Sequence, residues 1–231
     1  MLVPRYQGAM HGLFELAGTL VVLFGFGGWD AARNGVAAQR WRRLMGWTLL
    51  SAMLGGRVGF ILFNISHYAQ HPLAIFEIWR GGLVYTAALF AGLTAFLGLA
   101  FRSGFGVARL ADIAARACLL DVGQHYVLDR VLSFPYPPEE FVKGLSLLAV
   151  FVLLMIARRW FERLAGQVAL AAIVAYSLVT VVLSATSGEG LQSLSTSPTN
   201  LLSAVVFSAA LLAFVVRQVR FQVPAGSAPS P

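Results

Sequence analysis

The sequence predicts an all-α polytopic membrane protein with seven transmembrane helices, its N-terminus outside, its C-terminus cytoplasmic and its outer loops small. Three observations predict it. The 231 residues are 58% hydrophobic and 12% charged, with a mean hydropathy of +0.75, too apolar for an ordinary soluble domain. Several apolar runs reach the ~20 residues that cross a bilayer. The arginines fall in alternate loops, the pattern that sets orientation in membrane proteins. The net charge of +7 is read as that topology signal. No basic helix with interleaved aromatics stands out as a nucleic-acid reader, so no nucleic acid is expected as a partner.

The elements follow in order. Residues 1–11 (MLVPRYQGAMH) form a polar lead, and Gly12 to Trp29 is the first span. With a weak basic region and Glu15 early in its core, that run does not read as a signal peptide. His11 and Glu15 are four apart, share a helix face and can pair near its outer end. The next stretch, DAARNGVAAQRWRR, carries Arg33, Arg40, Arg42 and Arg43 and should be cytoplasmic. The second span is Leu44 to Asn64, and Ile65–Arg80 then lies outside. His67 and His71 have a metal-like spacing. However, Pro72 biases His71 out of the helical region, and no third ligand completes a set, so no metal site is expected. Ile75, Phe76 and Trp79 suit a segment lying at the lipid surface.

The third span is Leu83 to Phe101, followed by an inner loop bracketed by Arg102 and Arg109. The fourth, Leu110 to Leu128, contains Asp112, Arg116, Asp121, Gln124 and His125. Asp112 and Arg116 are in register for an ion pair, as are Asp121 and His125. Such a span must turn one face to a cavity or a protein interior. Asp129 to Lys143 reads as an outer loop, since Pro135, Pro137 and Pro138 rule out a continuous helix through it. Spans five, six and seven are Phe141–Ala157, Gly166–Ser184 and Leu201–Val216. Arg158, Arg159 and Arg163 lie inside between the fifth and sixth. Ser187–Asn200 lies outside, and Arg217 and Arg220 follow the last span. Eleven arginines thus share one side. Residues 1–220 form one transmembrane domain, and 221–231 read as a disordered tail. There are no duplicated halves of the kind found in inverted-repeat transporters. Cys118 is the only cysteine and sits in a helical pattern as a packing residue. No cofactor is implied; retinal is excluded, because the last span has no lysine for a Schiff base.

Arg57 stands out. It lies among Gly55, Gly56 and Gly59 in a run that otherwise suits lipid. An arginine there costs ~2.5–3.5 kcal/mol to insert, so it should face a polar cavity or a partner. That partner is either a bound phosphate, which its rigid charged fork suits, or an acid or backbone carbonyls of the protein.

The phrase around it, GGRVGFILF followed by HPLAIFEIWRGG, resembles the prolipoprotein diacylglyceryl transferases. Gly56, Arg57, Gly59, His71, Pro72, Leu73, Ile75, Phe76, Ile78, Trp79, Gly81 and Gly82 carry the likeness. Arg5, Gly8 and Met10 of RYQGAM add to it. The resemblance implies a multi-pass protein of the bacterial inner membrane. It would move a diacylglyceryl group from phosphatidylglycerol onto the lipobox cysteine of a prolipoprotein. It also implies that Arg57, Gly81, Gly82 and the position of Thr86 bind substrate. Three departures accompany it. Thr86 stands where the family has a histidine that matters for activity, and threonine cannot replace imidazole as a base near neutral pH. VGQHYVLDR stands where the arginine-bearing family signature belongs, with Arg130 nearby. The outer loop before the last helix has no basic residue. Three readings follow: a divergent transferase using Arg57, His125 and Asp121 as catalytic candidates, a silent relative that binds lipid or a partner protein, or an unrelated seven-helix receptor or transporter, which the Gly55–Gly82 match disfavours.

Overall fold

A computed structural model describes residues 14–76, 82–132, 138–156, 165–186, 209 and 211–213. Among these residues there are helices and no strands. Helix α1 is Phe14–Arg33, with a π-helical stretch at Val21–Phe26. Then come α2 (Ala38–Phe63), the short α3 (Ile65–Gln70) and a 3-10 turn at Pro72–Phe76. They are followed by α4 (Tyr85–Arg102), α5 (Val107–Leu132), α6 (Pro138–Ile156) and α7 (Gln167–Thr186).

Three of these, α1, α2 and α4, are long and apolar enough to cross a membrane. Their apolar side chains face outward: Phe63 is 78% and Phe90 76% exposed. In water such surfaces would be costly, whereas lipid tails accept them. The chain is a membrane protein on these grounds. Helix α5 is as long as α2 but carries acids and arginines. Its polar residues turn inward, with Asp112, Arg116 and Asp129 all buried, as expected of a polar face in an apolar setting. Residues 209 and 211–213 of the expected seventh span are helical. The rest of that span and the tail lie outside the described residues.

The expected outer loop Asp129–Lys143 is largely helix. Helix α5 continues to Leu132, and α6 begins at Pro138. Proline is tolerated in a first helical turn because the N–H it lacks has no helical partner there. Counting prolines made the loop too long.

The chain divides into two compact units, Gly27–Leu110 and the remainder, Met1–Phe26 with Ala111–Pro231. In the first, α2 packs against α4 through small residues. A Cβ on Gly55 would overlap that of Ala91, and one on Gly59 would lie 2.5 Å from that of Ala87. The two helices run antiparallel with their backbones close, the small-xxx-small packing of membrane helices. The Val84 N–H donates to the Gly56 carbonyl at 3.0 Å and locks the start of α4 to the middle of α2.

The second unit has its core where α5, α6 and α7 meet, at Leu119, Leu147, Leu154, Val168 and Ala172. Gly123 and Gly144 let α5 and α6 approach closely: a Cβ on Gly144 would meet the Gly123 carbonyl at 3.0 Å. The first half of α1 joins this unit through Phe26, whose ring meets Phe151 edge-on at 5.3 Å.

Candidate functional site

Each unit carries a polar constellation, and each is described by itself.

In the Gly27–Leu110 unit the centre is Arg57, buried to 7% exposure. Helix α2 ends at Phe63, capped by Asn64, whose backbone N–H reaches the Ile61 and Phe60 carbonyls. The chain then folds back through α3 and the 3-10 turn over the arginine. The guanidinium fork grips that returning segment. Nη2 donates to the Ala74 carbonyl at 2.8 Å and to the Ile75 carbonyl at 3.1 Å. Nε donates to Ile75 at 3.2 Å, and Nη1 makes a longer contact with the Gly82 carbonyl at 3.4 Å. Phe60 and Tyr68 close the pocket, their ring centroids 5.9 and 5.6 Å from the guanidinium carbon. Aromatic faces and carbonyl dipoles together replace the lost hydration of the charge.

Backbone carbonyls, one of the partner types open to Arg57 in the sequence, are among its partners in the structure. The motif HPLAIF is thus held by an arginine 17 residues before its Ala74 and 18 before its Ile75. Gly82 takes a positive φ of 83°, and a Cβ there would strike the Phe60 ring at 2.6 Å. Glycine is needed at that position on both counts. Gly81 lies outside the described residues. Thr86 is exposed on the first turn of α4. His71 has left the helix and is exposed, as Pro72 dictates.

In the other unit the centre is His125, near the end of α5. Its Nε2 lies 3.7 Å from Glu15 Oε1 on α1 and 3.7 Å from Asp129 Oδ2 one turn further on. The three donor atoms all lie within 4.8 Å of one another, close enough to share a metal ion. Histidine and carboxylates suit zinc-class cations. The expected partner, Asp121, accepts from Gln124 Nε2 at 3.2 Å and from the Thr19 hydroxyl, and acts on His125 electrostatically. Sequence reasoning found His125 but assigned it Asp121. It missed Asp129 by placing it in a loop and paired Glu15 with His11, which lies outside the described residues. The i,i+4 spacing of His125 and Asp129 carried the signal.

Asp112 has a different task. Its Oδ2 accepts the Gly166 N–H at 2.6 Å and its Oδ1 the Ala169 N–H at 2.8 Å. A carboxylate on α5 thus caps the N-terminus of α7, where backbone N–H groups lack helical partners. Arg116, fully buried one turn along, acts on the same carboxylate electrostatically.

A model of the prolipoprotein diacylglyceryl transferase family matches residues 3–127. The chain belongs to this family. The match contains α1 to α4, the Arg57 clamp, Glu15 and His125, and stops two residues short of Asp129. Among curated relatives is a phosphatidylglycerol–prolipoprotein diacylglyceryl transferase of Cereibacter sphaeroides. It is 30% identical over 120 residues, covering 46% of this chain and 56% of the relative. One from Rhodospirillum centenum is 40% identical over 72 residues, 31% of this chain and 26% of the relative. One from Bradyrhizobium diazoefficiens is 37% identical over 89 residues, 38% and 30% respectively. The match with the first of these relatives therefore spans little more than half of its length. The family places the chain among diacylglyceryl transferase-like membrane proteins.

Proposed function

We propose that this family member is itself a transferase that moves a diacylglyceryl group from phosphatidylglycerol to the cysteine thiol of a lipobox-bearing prolipoprotein. It would work as a multi-pass protein of the bacterial plasma membrane, N-terminus outside. In the reaction the cysteine sulfur forms a bond to the glycerol carbon of the lipid. The carbon–oxygen bond to phosphate breaks, glycerol phosphate leaves, and the thiol proton passes to a protein group.

The observation that carries this reading is the grouping of Glu15, His125 and Asp129. A thiol must lose its proton to attack, and Thr86 cannot take it. An imidazole flanked by two carboxylates is the described group with the chemistry to do so. Asp121, bonded to Gln124 and Thr19, orients α5 against α1. Arg57 serves as a positioning residue: it holds the motif segment so that Gly82, Thr86 and the Gly81 position present a defined face to the lipid.

A second reading is favoured by the exposure of Thr86 at the family's histidine position. In it the chain is silent and keeps the scaffold to bind phospholipid or a partner. One experiment separates them. The purified protein is reconstituted in phosphatidylglycerol liposomes with a peptide bearing one lipobox cysteine, beside a complete family member. A diacylglyceryl thioether on the peptide, read by mass spectrometry, supports the transferase. Unmodified peptide beside a working control supports the silent relative.

A further inference from the structure

The arginine-rich end of the Gly27–Leu110 unit contains a cavity of about 350 Å³ that the reaction above does not use. That volume is near the lower end of small-ligand sites, which start at roughly 300 Å³. Its walls come from the first turns of α2, the loop after α4 and the start of α5. Arg40 and Arg43 line it beside Trp41 and Trp47, with Ser103 and Phe105 opposite. Trp41 is fully buried and forms a rigid floor, while Trp47 is 55% exposed. The Arg40 guanidinium lies 5.3 Å from the centre of the Phe105 ring. Among the described residues no carboxylate pairs with Arg40 or Arg43, and no acid lines the cavity.

We propose that this cavity binds the phosphate headgroup of an anionic phospholipid from the leaflet at that end of the protein. Three features select this occupant. Two guanidinium groups, paired with no described carboxylate, line one small space, the arrangement that grips a phosphate in a charge-assisted way. The remaining walls are aromatic and aliphatic, which suits the glycerol and upper acyl region of a lipid rather than a free ion. Trp47 is an amphipathic ring of the kind found at headgroup depth. Basic pockets between membrane helices are a known mode of anionic-lipid recognition. This site shares no residue with the proposed reaction centre, so it stands or falls separately.

The test uses phosphatidylserine, which is anionic and is not the donor of the proposed reaction. Wild-type protein in phosphatidylcholine nanodiscs is compared with protein in nanodiscs containing phosphatidylserine, and retained lipid is counted by native mass spectrometry. Wild type should retain phosphatidylserine preferentially. The Arg40→Gln/Arg43→Gln variant should lose that preference by about tenfold or more. The charge-matched Arg33→Gln/Arg102→Gln variant, altered outside the cavity, should keep it. Equal losses in the two variants, or no loss in either, would overturn the proposal. Displacement of the lipid by millimolar inorganic phosphate would overturn the lipid as occupant. A readout without charge changes guards against misfolding. Brominated phosphatidylserine should quench tryptophan emission more than brominated phosphatidylcholine, and the excess should vanish in Trp47→Phe. Equal quenching by the two lipids would also overturn it.

Discussion

Arg57 Nη2 donates to the Ala74 carbonyl at 2.8 Å, across seventeen residues of chain. A charge that lipid would reject is thereby spent on fixing the segment that carries the family motif. Hydrogen bonds from charged groups contribute about 1.5–3 kcal/mol each when removed. Arg57→Met should therefore lower stability by at least ~3 kcal/mol. Arg57→Lys, which keeps the charge but loses the fork, should recover less than half of the loss. Thermal unfolding in detergent measures both. Limited proteolysis should cut the 71–76 segment faster in either variant.

The α2–α4 interface makes a steric prediction. Gly55→Ala and Gly59→Ala press a methyl group into Ala91 and Ala87, and overpacking of this kind costs about 1–3 kcal/mol. Gly98→Ala, on α4 with nothing within 4 Å of the new Cβ, should be neutral or stabilising by up to ~1 kcal/mol. Melting temperatures of the three variants test the contrast. Equal effects would mean that α2 and α4 do not approach as described.

The Asp112 cap predicts a directional effect. Asp112→Asn keeps the size but leaves one oxygen to serve two N–H donors, and its amide nitrogen would face a donor. The expected cost is about 1–3 kcal/mol, confined to α7. Hydrogen exchange at Gly166 and Ala169 should rise while α2 and α4 keep their protection.

These contrasts also mark what could be read from sequence. The need for a partner at Arg57 was legible, because bilayer insertion penalises an arginine whatever surrounds it. The identity of the partner was not, since it depends on how the chain after Asn64 folds back. Asp112 and Arg116 were legible as a pair from helical spacing. The N–H groups that Asp112 caps lie 54 and 57 residues away, and local pattern carries no trace of them. His125 was found by its place in a polar span; i,i+4 spacing runs in both directions, so Asp121 was read beside it while Asp129, one turn further on, was not. Proline counting turned the ends of α5 and α6 into loop. The π-helical stretch at Val21–Phe26 left no mark in a run of apolar residues and glycine.

The central claim is that the thiol is activated at the Glu15–His125–Asp129 group. The most direct test is the rate of diacylglyceryl transfer to the lipobox peptide by wild type and by His125→Gln, both first checked for equal melting temperatures. General-base groups contribute on the order of a hundredfold or more. Measurable transfer by wild type, with a loss of that size in the variant, is the expected result. Transfer that continues undiminished in His125→Gln would contradict the claim.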